Sequence, residues 1–290
     1  MNTQELVMLA MQASIMITVF SFGLEATTGD VLHLLRRPAL LARSLVAMFI
    51  VMPIVAVAMT LFFDLPQPVE IALVALSVSP IPPLLPKKQG KAGGDTSYAI
   101  GLLVTMAVLS VVVIPLALWV LGKVFGRPLT VQPFAVAWIV VKAAVVPILL
   151  GMVFRVALPE LAARLVRPAR LVGGILLALI ALAILAASWH AIVAAAVHGS
   201  ALAIAIFVVI GLLTGHLMGP HDAENRVVLA LSCASRHPGI AMALGTATFP
   251  EASGVGVTIL LYLVISTVVS MIYIKLRPRV PADRQTGPAA

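Results

Sequence analysis

The sequence predicts an all-α membrane protein of about nine spanning helices, folded as an inverted repeat around two broken helices. Three observations predict it. Hydrophobic residues make up 61% of the chain and charged residues 10%, whereas a soluble domain carries about 25% charged residues. The basic residues sit in short loops between long apolar runs, on one side of the implied membrane. Two matching segments, far apart in the chain, both break a helix in mid-membrane with proline.

A chain of 290 residues is long enough for many crossings at about 20 residues each. The first span reads as residues 6–26. No basic stretch precedes it, so it reads as a true span and not as a cleaved signal. The second covers residues 41–63 and the third 69–86, with a short continuation toward residue 94. The fourth runs over 96–121 and opens at Asp95, which has the character of an N-cap. The fifth covers 134–156, the sixth 171–189 and the seventh 201–218. The eighth runs over 226–249 and the ninth over 255–274. Residues 278–290 are polar, with proline and glycine, and read as a disordered tail. The transport domain is thus residues 1–277, in repeats of about 1–122 and 131–277.

Fifteen of the 19 basic residues fall in one set of loops, from Arg36 and Arg37 to Lys275 and beyond. The opposite loops hold only Lys123 and Arg127, and Lys142 and Arg236 fall within spans. The positive-inside rule makes the first set cytoplasmic, with the N-terminus outside and the C-terminus inside. A net charge of +8 distributed in this way is a topology signal, not a nucleic-acid-binding face. The expected location is the plasma membrane, crossed many times.

The third span reads Ala75-Leu76-Ser77 and then reaches Pro83; the eighth reads Ala230-Leu231-Ser232 and then reaches Pro238. The two stretches stand five spans apart, so they cross in opposite directions, as inverted repeats do. Pro80, Pro82, Pro83 and Pro86 cannot share one regular helix, because each lacks an amide donor and crowds the preceding turn. His237-Pro238-Gly239 interrupts the eighth span in the same way. Broken backbone at membrane depth survives only where protein or a water-filled cavity satisfies it. Paired interruptions therefore mark a transport site, against the plainer alternative of two proline kinks.

Arg236 stands beside the second break. An arginine at mid-membrane costs roughly 2.5–3.5 kcal/mol on insertion scales. Two roles fit: a fixed positive charge for an anionic substrate, or an internal staple of the crossing. His237 is a candidate for substrate binding or proton relay. Ser77, Ser232 and Ser235 complete the polar set at the two breaks. Lys87 and Lys88 follow the first break as a candidate cytoplasmic mouth, and Lys91 reads as an interfacial anchor. Lys142 reads as a snorkelling side chain. Glu25 and Asp30 sit where they can neutralise nearby arginines. Cys233, the one cysteine, reads as a packing residue. No phosphate loop, hydrolase elbow or zinc-ligand spacing is visible, so the chain is not expected to be an enzyme or to be driven by ATP.

The chain resembles the bile acid:sodium symporter family over nearly all of its length. The resemblance is carried by Phe20-Ser-Phe-Gly-Leu24, Arg37-Pro38, Met52-Pro53, the segment after Ser79-Pro80, Lys142 with Val146-Pro147-Ile-Leu-Leu-Gly151, and Ser235-Arg-His-Pro-Gly-Ile-Ala241. It implies a panel domain and a core domain, with the broken helices crossing in the core. The chain looks like the nine-span form of a fold that some members build with ten spans. The resemblance implies organic anions as substrates, including bile acids and other carboxylates or sulfates.

The resemblance also implies where sodium ligands would lie. The aligned positions hold Met48, Leu85, Pro86, Ala99, Leu103, Ser232, Arg236 and His237, which supply almost none of the expected oxygens. The expectation is therefore a carrier of a small organic anion that is uniport or proton-coupled, without sodium at those positions and without another cofactor. Two alternatives stand beside it: a sodium-dependent symporter using other ligands, and a non-transporting sensor or scaffold on the same fold. The expected partners are the anion and the bilayer; the sequence does not set the oligomeric state.

Overall fold

The structure, a computed structural model, describes residues 3–124, 137–138, 141–196, 199–249 and 251–276. Residues 278–290, expected as a tail, and the start of the fifth span lie outside the described residues. All regular structure among the described residues is helical.

Helix α1 is Thr3–Glu25. A short helix, α2, Thr28–Leu35, occupies what the sequence suggested was a loop; Thr27 and Asp30 cap it reciprocally. Helix α3 is Pro38–Phe62. Its stretch Val46–Val51 is π-helical. The cause is Pro53, whose ring crowds the preceding turn and whose missing amide breaks the ordinary ladder. Helix α4 is Gln67–Val78, α5 is Leu85–Lys91 and α6 is Thr96–Val124. Asp95 caps α6 as expected, accepting from the Tyr98 amide at 2.7 Å. Element α7 is π-helical over Val141–Val145 and α-helical over Val146–Ala157. This π turn again precedes a proline, Pro147.

Helix α8 is Pro159–Ala187, and a short α9, Trp189–Ala196, follows. The sequence placed this sixth span at 171–189, so the helix starts earlier than expected. Pro159 opens it at the first helical position, where proline's missing amide costs nothing. Pro168 is then carried inside it. Arg164 and Arg167 are exposed on this early segment, which suits a polar interface better than lipid. Helices α10, Ser200–Met218, α11, Ala223–Ala234, α12, Pro238–Thr248, and α13, Val255–Leu276, complete the described chain.

Six helical stretches among the described residues are long and apolar enough to cross a membrane, the α11–α12 path among them; α4 and Val146–Ala157 are shorter apolar helices. The outward side chains agree with lipid as solvent: Leu61, Val112, Val153, Leu182 and Leu213 are large, apolar and exposed.

The helices form two packed groups. In the panel, α1 lies against α7 and α8. Gly23 and Gly151 face each other so closely that a Cβ on Gly23 would stand 2.3 Å from the Ile148 carbonyl oxygen. Ser14 Oγ donates to the Gly173 carbonyl at 2.8 Å, tying α1 to α8. In the core, α3, α4, α6 and α10–α13 enclose one buried apolar cluster. Gly211 and Gly215, one turn apart on α10, admit the backbone of α11 at close range.

Candidate functional site

The first break is written by proline. Helix α4 ends at Val78, and Ser79 follows in an extended conformation. Pro80, Pro82 and Pro83 carry the chain to Leu85, whose amide donates to the Pro82 carbonyl at 3.0 Å. Pro86 then opens α5 at its start. The sequence carried the third span through to residue 86; the helix stops earlier because neither Pro80 nor Pro82 can donate to the turn before it. Ser77 bonds within α4, its Oγ donating to the Val74 carbonyl at 2.7 Å.

The second break mirrors it. Asp222 caps α11 by accepting from the Glu224 amide at 2.9 Å. The helix ends at Ala234, and Ser235 and His237 are extended. Pro238 opens α12, and the His237 imidazole caps it, Nδ1 accepting from the Ile240 amide at 3.3 Å.

The two breaks meet. The His237 amide donates to the Pro80 carbonyl at 2.9 Å. Arg236 is 1% exposed. Its Nη1 donates to the Ser79 carbonyl at 3.2 Å and its Nη2 to the Met48 carbonyl in the π-helical part of α3 at 2.9 Å. Backbone carbonyls thus enclose the guanidinium. Among the described residues no carboxylate pairs with it, the one salt bridge being Arg170 with Glu25. The Tyr262 hydroxyl, on α13, accepts from the Arg236 amide at 2.7 Å and donates to the Ala234 carbonyl at 2.8 Å.

A second link joins the same helices nearer the basic loops. Gln89 on α5 is buried, and its Nε2 donates to the Val228 carbonyl at 2.9 Å and to Ser232 Oγ at 2.8 Å. At the crossing, three buried polar atoms carry no hydrogen bond: Arg236 Nε, His237 Nε2 and Gln89 Oε1. Polar side chains left so are costly unless something else engages them. Ser235 is half-buried; Lys87 is exposed and Lys88 half-buried on α5. Sequence reasoning missed Gln89, Tyr262 and the Met48 and Ser79 carbonyls. Backbone acceptors leave no side-chain pattern, and Gln89 meets a partner 143 residues away.

The panel reaches this crossing. A Cβ on Gly239 would lie 3.9 Å from Ile15 of α1, and one on Gly174 of α8 would lie 3.9 Å from Leu84 in the first break. A separate cavity of about 430 Å3 opens at the other end of the core, with Thr60, Gln67, Glu70 and Thr248 among its lining.

The positions where the resemblance implies sodium ligands do not fit that ion through their side chains. Met48, Leu85, Ala99 and Leu103 are apolar members of the core cluster. Pro86 is buried, Arg236 is cationic, and the hydroxyl of Ser232 is engaged by Gln89. Sodium prefers hard oxygen donors, as other hard cations do.

Two discontinuous helices joined at their breaks, inside a bundle that spans the bilayer, define the class of secondary transporters. The chain belongs to the Sodium Bile acid symporter family, whose model matches residues 13–203. It is also similar to the uncharacterized sodium-dependent transporter YocS of Bacillus subtilis (strain 168), at 23% identity over 246 residues, 82% of this chain and 74% of that protein. The family match covers the first break and ends before the second.

Proposed function

We propose that the chain moves a small organic anion across the membrane by alternating access, with sodium as its coupling ion. The observation that carries transport is the bond between the breaks, His237 N to Pro80 O at 2.9 Å. It places irregular backbone from both halves at one point in the core, where a site can be opened to either face by moving the panel against the core. Sodium coupling is supported by the family and by the Bacillus relative, which is named as a sodium-dependent transporter.

The anion's charge is balanced by the buried charge of Arg236, which has no carboxylate partner among the described residues, and the half-buried Ser235 beside it faces the anion's approach. Ser77, Pro80, Pro82, Pro83, Ser232 and Pro238 shape the crossing. Lys87 and Lys88 form the mouth on the cytoplasmic side, with the N-terminus outside and the C-terminus inside the plasma membrane. The apolar side chains at Met48, Leu85, Ala99 and Leu103 favour a second reading, in which the same carrier is uniport or proton-coupled.

Uptake of bile-acid-type carboxylates and sulfates into proteoliposomes, with external sodium replaced by choline, tests both. Accumulation that needs an inward sodium gradient is the expected outcome. Equal uptake in choline supports the second reading. No uptake of any tested anion in either medium contradicts transport and favours a sensor or scaffold.

A further inference from the structure

The two carbonyls that hold Arg236 are both orphaned by proline. In a π-helix the amide of residue i+5 bonds to the carbonyl of residue i, as Met52 N does to Ala47 O. The next pair in that register is Pro53 and Met48, and proline has no amide hydrogen. The Met48 carbonyl is therefore left over. In an α-helix the carbonyl of Ser79 would take the amide of residue 83, which is Pro83. It too is left over, at the C-terminal end of α4, where the helix dipole is negative.

The chain closes this pair with a guanidinium from 188 and 157 residues away. Leftover carbonyls at unwound segments and half-helix C-termini are the groups that coordinate cations in membrane carriers. Here a side-chain cation takes them. Neutral carbonyls leave its positive charge uncancelled, and no carboxylate pairs with it among the described residues. Its Nε carries no hydrogen bond.

We infer that Arg236 is a tethered cation: its guanidinium fills a monovalent-cation seat formed by the Met48 and Ser79 carbonyls and supplies there the charge that a free ion would otherwise bring. The inference rests on the transporter reading above, and it puts any sodium that drives uptake at other oxygens. The plainer role, a staple holding the breaks together, needs the hydrogen bonds but not the charge, and makes no prediction about sodium.

The test is thermal unfolding of purified Arg236→Ala, Arg236→Gln and Arg236→Lys in NaCl against equal choline chloride. Emptying the seat should let sodium occupy it, so Arg236→Ala should gain a sodium-dependent rise in melting temperature beyond any that the wild type shows. Arg236→Gln keeps an amide donor for the carbonyls and drops the charge; it should gain a smaller rise. Arg236→Lys keeps the charge and should follow the wild type. If Arg236→Ala folds in sodium but not in choline, the inference is supported. If Arg236→Ala does not fold, Arg236→Gln decides. A folded Ala or Gln variant with the wild-type sodium response overturns the inference, as does failure of both to fold in either salt. Wild-type uptake in proteoliposomes reports separately on transport, so loss of that reading is distinguishable from loss of this one.

Discussion

The phenol of Tyr262 bonds the Arg236 amide and the Ala234 carbonyl together. Both backbone groups lose their helical partners at the second break, so one side chain from α13 satisfies what proline and extended backbone leave open. Tyr262→Phe removes the hydroxyl and nothing else. It should cost about 1–3 kcal/mol, the usual penalty for leaving buried polar groups unpaired, read as a lower midpoint of unfolding in detergent. An unchanged midpoint would show that water serves the break equally well. Tyr262 sits in an ordinary apolar run, and nothing in the sequence points it at a residue 26 positions earlier. Arg236 was legible, because a charge in an apolar span is conspicuous. Its acceptors were not, because they are carbonyls of Met48 and Ser79 and carry no side-chain signature.

At the scale of elements, glycine decides how near the helices come. A Cβ on Gly215 would stand 2.4 Å from the Leu229 carbonyl oxygen and 2.5 Å from Ala230 Cα. Backbone on both sides cannot give way as a flexible side chain can. Gly215→Ala should therefore part α10 from α11 and sharply reduce the folded fraction recovered by size exclusion. Gly256→Ala is the matched control: its nearest neighbour is the end of Met242, 3.5 Å away, and it should fold as the wild type does. Equal recovery of the two would contradict the close packing of the second crossing. Proline made both breaks readable from the sequence, since no regular helix holds Pro80, Pro82 and Pro83. The extents of α4 and α8 were misjudged. Apolar content continues past Ser79 while the backbone stops, and α8 starts in a stretch whose arginines look like a loop. The π turns before Pro53 and Pro147 were unread for a related reason: a proline predicts a disturbance, but not whether a kink or a wider turn absorbs it.

For the whole molecule, the charge asymmetry and the two packed groups belong together. Arg155 Nη1 donates to the Leu24 carbonyl at 3.0 Å, and Arg170 pairs with Glu25. These bonds fasten the panel at the end where the basic loops gather. The core is held by the buried crossing, and the panel touches that crossing through Ile15 and Gly174. On the proposed mechanism, movement of one group against the other exposes the crossing to one face at a time. The two proline breaks that meet at the crossing were legible in the chain; the contact between panel and crossing was not, since it joins small and apolar residues without a pattern. The most direct measurement uses a single cysteine at Ser235 in a Cys233→Ala background. It would be labelled by a membrane-impermeant thiol reagent in right-side-out and inside-out vesicles, with sodium and with choline. Alternating access predicts labelling from both faces, with the balance between them changed by the cation. Labelling from one face only, or from neither, under every condition would contradict it.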